Sequence, residues 1–225
     1  MSSRNDSIGS AASRSMTQRA FDIEKKSFEI IDSEAGNHGY GEPEWTVVKR
    51  VIHSTADFDY CGSCRMLFQN SPISAAFDAF RNHLPIITDV EMVLAAINKK
   101  SLGDLGLKAG CYISDPRAAT LSSKKQMTRS EAAMQIASQA GPVGIIAIGN
   151  APTALLEVIK LAVEKQMRPL LVVGLPVGFV SAAESKEALA ATSMSCITNR
   201  GRKGGSAAAA SVINALMLLY KSAQH

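Results

Sequence analysis

The chain has 225 residues, 46% hydrophobic and 20% charged, with a formal net charge of +4 and four cysteines. That balance fits a folded α/β chain long enough to bury a sizeable core, and excludes a collagenous, disulfide-stapled or wholly disordered one. So mild a positive charge suits an anionic small molecule and does not by itself point to nucleic acid. Cys61, Cys64, Cys111 and Cys196 are irregularly spaced, which predicts reduced thiols in a cytoplasmic protein.

Residues 1–17 are rich in Ser and Arg but lack the apolar stretch of a secretory signal, and read as a flexible N-terminal extension. Residues 18–225 read as a single α/β domain. Helices are predicted over 18–33 and 44–54, joined by a Gly-containing loop at 35–43. From Pro85 onward, short apolar runs alternate with helical stretches. The predicted strands are Pro85–Thr88, Cys111–Ser114, Val143–Ile148, Leu170–Leu175 and Ser195–Thr198, and the predicted helices are 90–99, 129–139, 152–166, 181–191 and 205–221. Val143–Ile148 and Leu170–Val173 are continuous apolar runs, as expected of strands covered on both faces. The alternation argues for a three-layer α/β/α architecture with a five-stranded, mainly parallel, doubly wound (Rossmann-like) sheet.

Helix starts carry their own signals. Thr128-Arg-Ser-Glu131 and Ser181-Ala-Ala-Glu184 fit the capping box, and Pro152 fits a first helical turn, where its missing N–H costs nothing. The most apolar stretch, Pro169–Ala183, is interrupted by Gly174, Pro176 and Gly178 and falls short of the roughly 20 residues of a membrane span, so no membrane association is expected.

In open α/β sheets, ligands bind beyond the carboxyl ends of the strands. Four polar segments fall there: Thr88-Asp89, Gly149–Thr153, Gly174–Phe179 and Asn199–Ser206. Each leads into a helix N-terminus, whose free N–H groups and positive dipole end favour anions. With Arg200, Arg202 and Lys203 added, they describe a rim for a ligand bearing several negative groups. Any one of these glycines, taken alone, is explained by the turn it makes. No segment matches a dinucleotide fingerprint or a P-loop, so a nucleotide cofactor has no support.

Gly149-Asn-Ala-Pro-Thr-Ala-Leu155, Gly174-Leu-Pro-Val-Gly-Phe-Val-Ser-Ala-Ala-Glu-Ser-Lys186 and Arg200-Gly-Arg-Lys-Gly-Gly-Ser206 resemble three signature blocks of the precorrin-8X methylmutase (precorrin isomerase) family. Upstream, Lys26–Ile30, Arg50-Val-Ile-His53, Pro85–Val93 and Thr128–Ala133 resemble further blocks in the same order, so the likeness runs from about residue 20 to about 217. Ala96 departs from it, standing where the family pattern has Gly. The resemblance implies an isomerase of cobalamin biosynthesis with no redox cofactor and no metal. Its tetrapyrrole substrate would be precorrin-8X or cobalt-precorrin-8, a methyl group would migrate at ring C by a sigmatropic shift, and the product would be hydrogenobyrinic or cobyrinic acid. It also implies a homodimer in which both subunits shape the pockets.

By the same resemblance the essential histidine is His53. A methyl shift on an unsaturated macrocycle becomes easier when a ring nitrogen is protonated, and an imidazole exchanges its proton near neutral pH. Read on residues alone, a histidine near a helix end is better explained as a partner of the helix dipole or a satisfied polar contact. His38, His83 and His225 match no block.

Arg129 stands in a first helical turn, where a cation opposes the dipole, and the family pattern has a substrate-binding Arg there. An exposed Arg with no partner is the plain alternative. Arg117, after Asp115-Pro116, is a weaker carboxylate candidate, which a solvated loop explains better. Ser27, Gly178 and the turn Arg200, Gly201, Arg202, Lys203, Gly204, Gly205, Ser206 carry over as substrate contacts, the backbone N–H groups of Gly204, Gly205 and Ser206 suiting a propionate. Thr88 and Asp89 end a strand at the ligand face, although a helix N-cap suffices to explain Asp89. Asn150 and Thr153 could donate to the ligand or simply shape their turn. Cys61-Gly-Ser-Cys64 lacks the second ligand pair of a zinc site and follows a helix, unlike a thioredoxin motif, so it reads as incidental.

Two other classes compete. A non-catalytic tetrapyrrole carrier on the same fold would need the anion rim but not His53. A nucleic-acid-binding module would use Arg200–Lys203, yet the chain has only 5% aromatic residues to interleave with them and no nucleic-acid fold signature.

Overall fold

The computed structural model describes residues 5–224, with side chains from residue 18 onward. The extension expected over 1–17 falls partly outside those residues, as does His225. The chain divides into two compact units, Met1–His38 and Gly39–His225. The first is built on helix α1 (Asn5–Ala35).

The second unit opens with α2 (Glu44–Thr55), a 3-10 turn (Phe58–Tyr60), β1 (Met66–Gln69) and α3 (Pro72–Arg81). There follow β2 (Ile86–Thr88), α4 (Glu91–Ala96), α5 (Lys99–Asp104), β3 (Ala109–Cys111), α6 (Pro116–Lys125), α7 (Arg129–Gln139) and β4 (Ile145–Ile148). The chain then alternates through α8 (Pro152–Val163), β5 (Leu171–Gly174), α9 (Ala182–Ala190), β6 (Cys196–Asn199) and α10 (Ser206–Ser222).

The strands form a six-stranded sheet in the order β1-β6-β5-β4-β2-β3. All pairings are parallel except that of β1 with β6, where Met66 faces Asn199 and Gln69 faces Cys196. Every residue of β2, β4, β5 and β6 is buried, because helices cover both faces. On one face α10 packs against α2, α3 and α4; on the other α6, α7, α8 and α9 follow one another in contact. This second layer closes over Ile146, Ile148 and Val172 with Ala133, Ile136, Leu155 and Val158.

The expected class holds, with the sheet enlarged from five strands to six by β1. The helix expected over 90–99 is two. Ile97 is extended at the end of α4, and Asn98 restarts the chain as N-cap of α5, its side chain accepting from the Ser101 N–H. Asn214 of α10 locks the break, accepting from the Asn98 N–H at 2.8 Å and donating to the Ala96 carbonyl at 3.0 Å. The capping box forms at Thr128 but not at Ser181, which sits at φ 61° and makes no side-chain cap. A left-handed residue cannot take the extended conformation an N-cap requires.

Candidate active site

The sheet order reverses at β2, which has β3 on one side and β4 on the other. The crevice beyond the β2 and β4 tips is therefore where an open α/β sheet would ordinarily receive an anion. Here Asp89 fills it. The carboxylate is fully buried and accepts from the N–H groups of Gly149 (3.0 Å), Asn150 (2.8 Å) and Ala151 (2.8 Å). Burial raises its pKa, against the opposing pull of those three amides. Val90, not Asp89, is the N-cap of α4. The N-cap expectation is thus replaced by a longer reach: Asp89 fixes the Gly149–Ala151 turn and occupies the donors an external carboxylate would have used. Thr88 is likewise buried, its hydroxyl donating to the Val90 carbonyl at 3.2 Å.

The turn held by Asp89 is joined to the start of α7. Thr128 caps α7 in a complete capping box with Glu131, and its hydroxyl stands 3.0 Å from that of Thr153 in the first turn of α8. Arg129 and Asn150, both exposed, are thereby brought to neighbouring helix starts. Thr153, half-buried, spends its hydroxyl on this link.

The turn after β6 is held more tightly. The Arg200 N–H donates to the Arg65 carbonyl, the Gly178 N–H to the Arg202 carbonyl and the Gly205 N–H to the Leu175 carbonyl. A Cβ on Gly204 would stand 2.2 Å from the Leu175 oxygen, so only glycine passes there. Gly205 takes φ 124° as the chain swings into α10, where Ser206 begins the helix. The Tyr60 hydroxyl donates to the Gly204 carbonyl at 3.4 Å, and burial pushes that phenol up to about 12. Gly201 lies against the Cys64 thiol, 3.7 Å from where its Cβ would be.

The three cations of this turn differ. Lys203 reaches away from the sheet to Asp57 (2.7 Å) and Asp59 (2.6 Å). These hydrogen bonds raise the ammonium above the ordinary lysine range and lower the Asp59 carboxyl. Lys203 therefore serves as a strut between the turn and the segment just after α2, rather than as a free anion receptor. Arg200 and Arg202 are exposed, and the Arg202 guanidinium lies 5.7 Å from the ring centre of Phe179, itself 88% exposed. Val177 and Val180 extend this apolar surface.

His53, exposed in the last turn of α2, precedes Asp57 by one turn of chain, so the Lys203 strut ties its helix end to the cationic turn. Arg117 is engaged by a neighbour in sequence. Asp115 caps the start of α6 by accepting from the Arg117 N–H, and its carboxylate grips the Arg117 guanidinium, with Nη2 at 2.6 Å from Oδ2 and Nε at 3.0 Å from Oδ1. That fork is already filled by a carboxylate of its own chain. Ser27 stands on α1 in the first unit, its hydroxyl donating to the Ile23 carbonyl at 2.8 Å.

Sequence reasoning missed Asp57, Asp59 and Tyr60, and gave Lys186 and Asn199 no role of their own. Lys186, in α9, is 1% exposed and donates to the Asn199 side-chain oxygen (3.1 Å) and the Lys203 carbonyl (2.6 Å). Lys186 stood inside a quoted block, but helical spacing gives no sign that an ammonium points inward.

Comparison with known proteins completes the picture. The precorrin-8X methylmutase family profile matches residues 22–219. The chain is 44% identical to the cobalt-precorrin-8 methylmutase of Priestia megaterium, over 92% of this chain and 91% of the relative. It is 43% identical to the cobalt-precorrin-8 methylmutase of Leptospira interrogans, over 92% of this chain and 96% of the relative. The crystal structure of the precorrin-8X methylmutase from Thermus thermophilus superposes with a TM-score of 0.81 at 35% identity, covering 89% of this chain and 98% of that one. From its signature turns to its sheet order, this chain belongs to the precorrin-8X methylmutase family.

Proposed function

We propose that this protein is the isomerase that moves a methyl group between ring carbons of precorrin-8X or cobalt-precorrin-8, yielding hydrogenobyrinic or cobyrinic acid. The observation that carries the reading is likeness over nine-tenths of the chain to relatives named for that reaction. The names of both relatives favour the cobalt-bearing substrate.

The site chemistry is consistent with it. Arg200 and Arg202 at the β6 tip, and Arg129 at the start of α7, are exposed cations that can meet carboxylates at the edge of a macrocycle. His53 lends a proton to the conjugated ring, which then becomes electron-poor. The carbon–methyl bond breaks as the bond to the neighbouring carbon forms, and the proton returns to the imidazole. Atoms and electrons are conserved within the substrate, and the protein lends only a proton.

The protein acts as a homodimer, and the exposed Val177, Phe179 and Val180 beside the cationic turn are apolar surface a second subunit would cover. Among the described residues no helix is long and apolar enough to cross a membrane.

The test is direct. Purified protein mixed separately with precorrin-8X and with cobalt-precorrin-8 should convert one or both, read as an absorbance change. His53→Ala should abolish turnover while still retaining the tetrapyrrole. Binding without conversion by the unaltered protein would instead indicate a carrier, and full turnover by His53→Ala would refute the proton-donor role.

A further inference from the structure

Among the described residues the buried charged side chains are Asp89, Glu157 and Lys186. Asp89 has its three amides, and Glu157 accepts from Gln135 at 2.7 Å and lies 3.6 Å from Lys160. Lys186 is different, because its partners are the neutral oxygens of Asn199 and Lys203. An ammonium buried without a carboxylate is an expensive way to satisfy two neutral oxygens, which points to a second role for the lysine.

What Lys186 does is set the direction of a peptide plane. The Lys203 carbonyl accepts from Lys186 Nζ (2.6 Å) and from Asn199 Nδ2 (3.0 Å), and the Arg200 carbonyl accepts from the same Asn199 nitrogen (3.0 Å). In a trans peptide the N–H points opposite to the C=O. Carbonyls drawn inward at Arg200 and Lys203 turn the N–H groups of Gly201 and Gly204 the other way, and no acceptor among the described residues takes either one. The turn so aimed carries Arg200 and Arg202.

We propose that Lys186 is a positioning residue for substrate binding, which through the Lys203 carbonyl aims the Gly204 N–H at a carboxylate of the macrocycle. The inference rests on the methylmutase reading of the site. Because the aim depends on a charged donor, binding should respond to the ionisation of Lys186, which burial pulls down to about 8. The titratable side chain facing it is Cys64, from the segment before β1, whose influence is the smaller. Asn199 on β6 is neutral, and the Lys203 ammonium reaches away to Asp57 and Asp59. Below about pH 8 the ammonium holds the carbonyl; above it a neutral amine holds it more weakly.

The experiment measures kcat and KM for the purified enzyme, Lys186→Met and Cys64→Ser across pH 6.5 to about 9.5, with melting temperatures alongside. Expected for Lys186→Met is a KM raised about tenfold or more with kcat within about threefold, and a melting temperature lowered by only a few degrees as Asn199 loses one donor. The unaltered enzyme and Cys64→Ser should both show KM rising above about pH 8, a rise that Lys186→Met lacks. A Lys186→Met enzyme with unchanged KM and the same alkaline rise overturns the proposal. So does parallel loss of kcat and melting temperature, and a flat KM in the unaltered enzyme overturns it even where the variant does not fold. Absence of turnover in the unaltered protein would instead count against the methylmutase reading itself.

Discussion

Asp89 shows how one side chain decides where a ligand can bind. Its carboxylate takes the three turn amides beyond the crevice that the strand order opens, so those amides are not open to an external anion. Asp89→Asn keeps the shape but presents an NH2 group to amide donors that need an acceptor. The loss of one or two charged hydrogen bonds, with buried N–H groups left unpaired, should cost about 2–4 kcal/mol, visible as a lowered denaturation midpoint. An unchanged midpoint would mean that the Gly149–Ala151 turn stands without Asp89. Arg129 is the complementary case, exposed and placed where only its side chain can matter. Arg129→Ala should raise KM or weaken product retention about tenfold while altering kcat little. It should leave the melting temperature unmoved, since removing a cation from a helix start relieves the dipole. If affinity is untouched, Arg129 is not a carboxylate contact.

At the scale of the element, the same pattern, Ser or Thr followed three residues later by Glu, forms a cap at Thr128 and none at Ser181. The pattern records a local option; whether it is used depends on the backbone delivered to it, and the chain after β5 arrives at Ser181 left-handed. Thr128→Ala should cost about 1 kcal/mol and lower the melting temperature by about 2–4 °C. A larger effect on KM than on stability would show that the Thr128–Thr153 contact also seats Arg129. The strands of the parallel sheet were legible because β4 and β5 are continuous apolar runs, a composition that burial on both faces demands. Strand β1, Met-Leu-Phe-Gln, is short and lacks β-branched residues, although Asn70-Ser71-Pro72 marks its end. It exists because β6 offers an edge. Helices α3 and α6 were not expected, although each has Pro in its first turn and α6 has Asp115 as a cap. Reading Asp115-Pro116-Arg117 only for the guanidinium obscured the helix start and missed that Asp115 already holds the arginine.

For the whole molecule, the division of labour follows from which site features were local. The glycine-bearing turns and their arginines are contiguous in sequence, and were visible there. The struts that arrange them join different elements: Lys203 to Asp57 and Asp59, Lys186 to Asn199 and the Lys203 carbonyl, Tyr60 to the Gly204 carbonyl. No spacing rule reaches across such distances, so these residues were silent until the sheet brought β1, β5 and β6 side by side. The same geometry leaves Phe179 and Val180 at 88% and 81% exposure on the rim, a poor state for two large apolar side chains facing water. A partner subunit that covers them would complete the wall of a macrocycle site, while the arginines beside them stay available to its carboxylates. Light scattering on the purified protein should then give twice the chain mass, 47.8 kDa for two chains of 23.9 kDa. Phe179→Asp with Val180→Asp should shift that mass toward one chain and lower turnover with it, because unpaired carboxylates are costly to bury in an apolar interface. A double variant that stays dimeric would place the subunit interface elsewhere, and a monomeric one with full turnover would show that a single chain encloses its substrate.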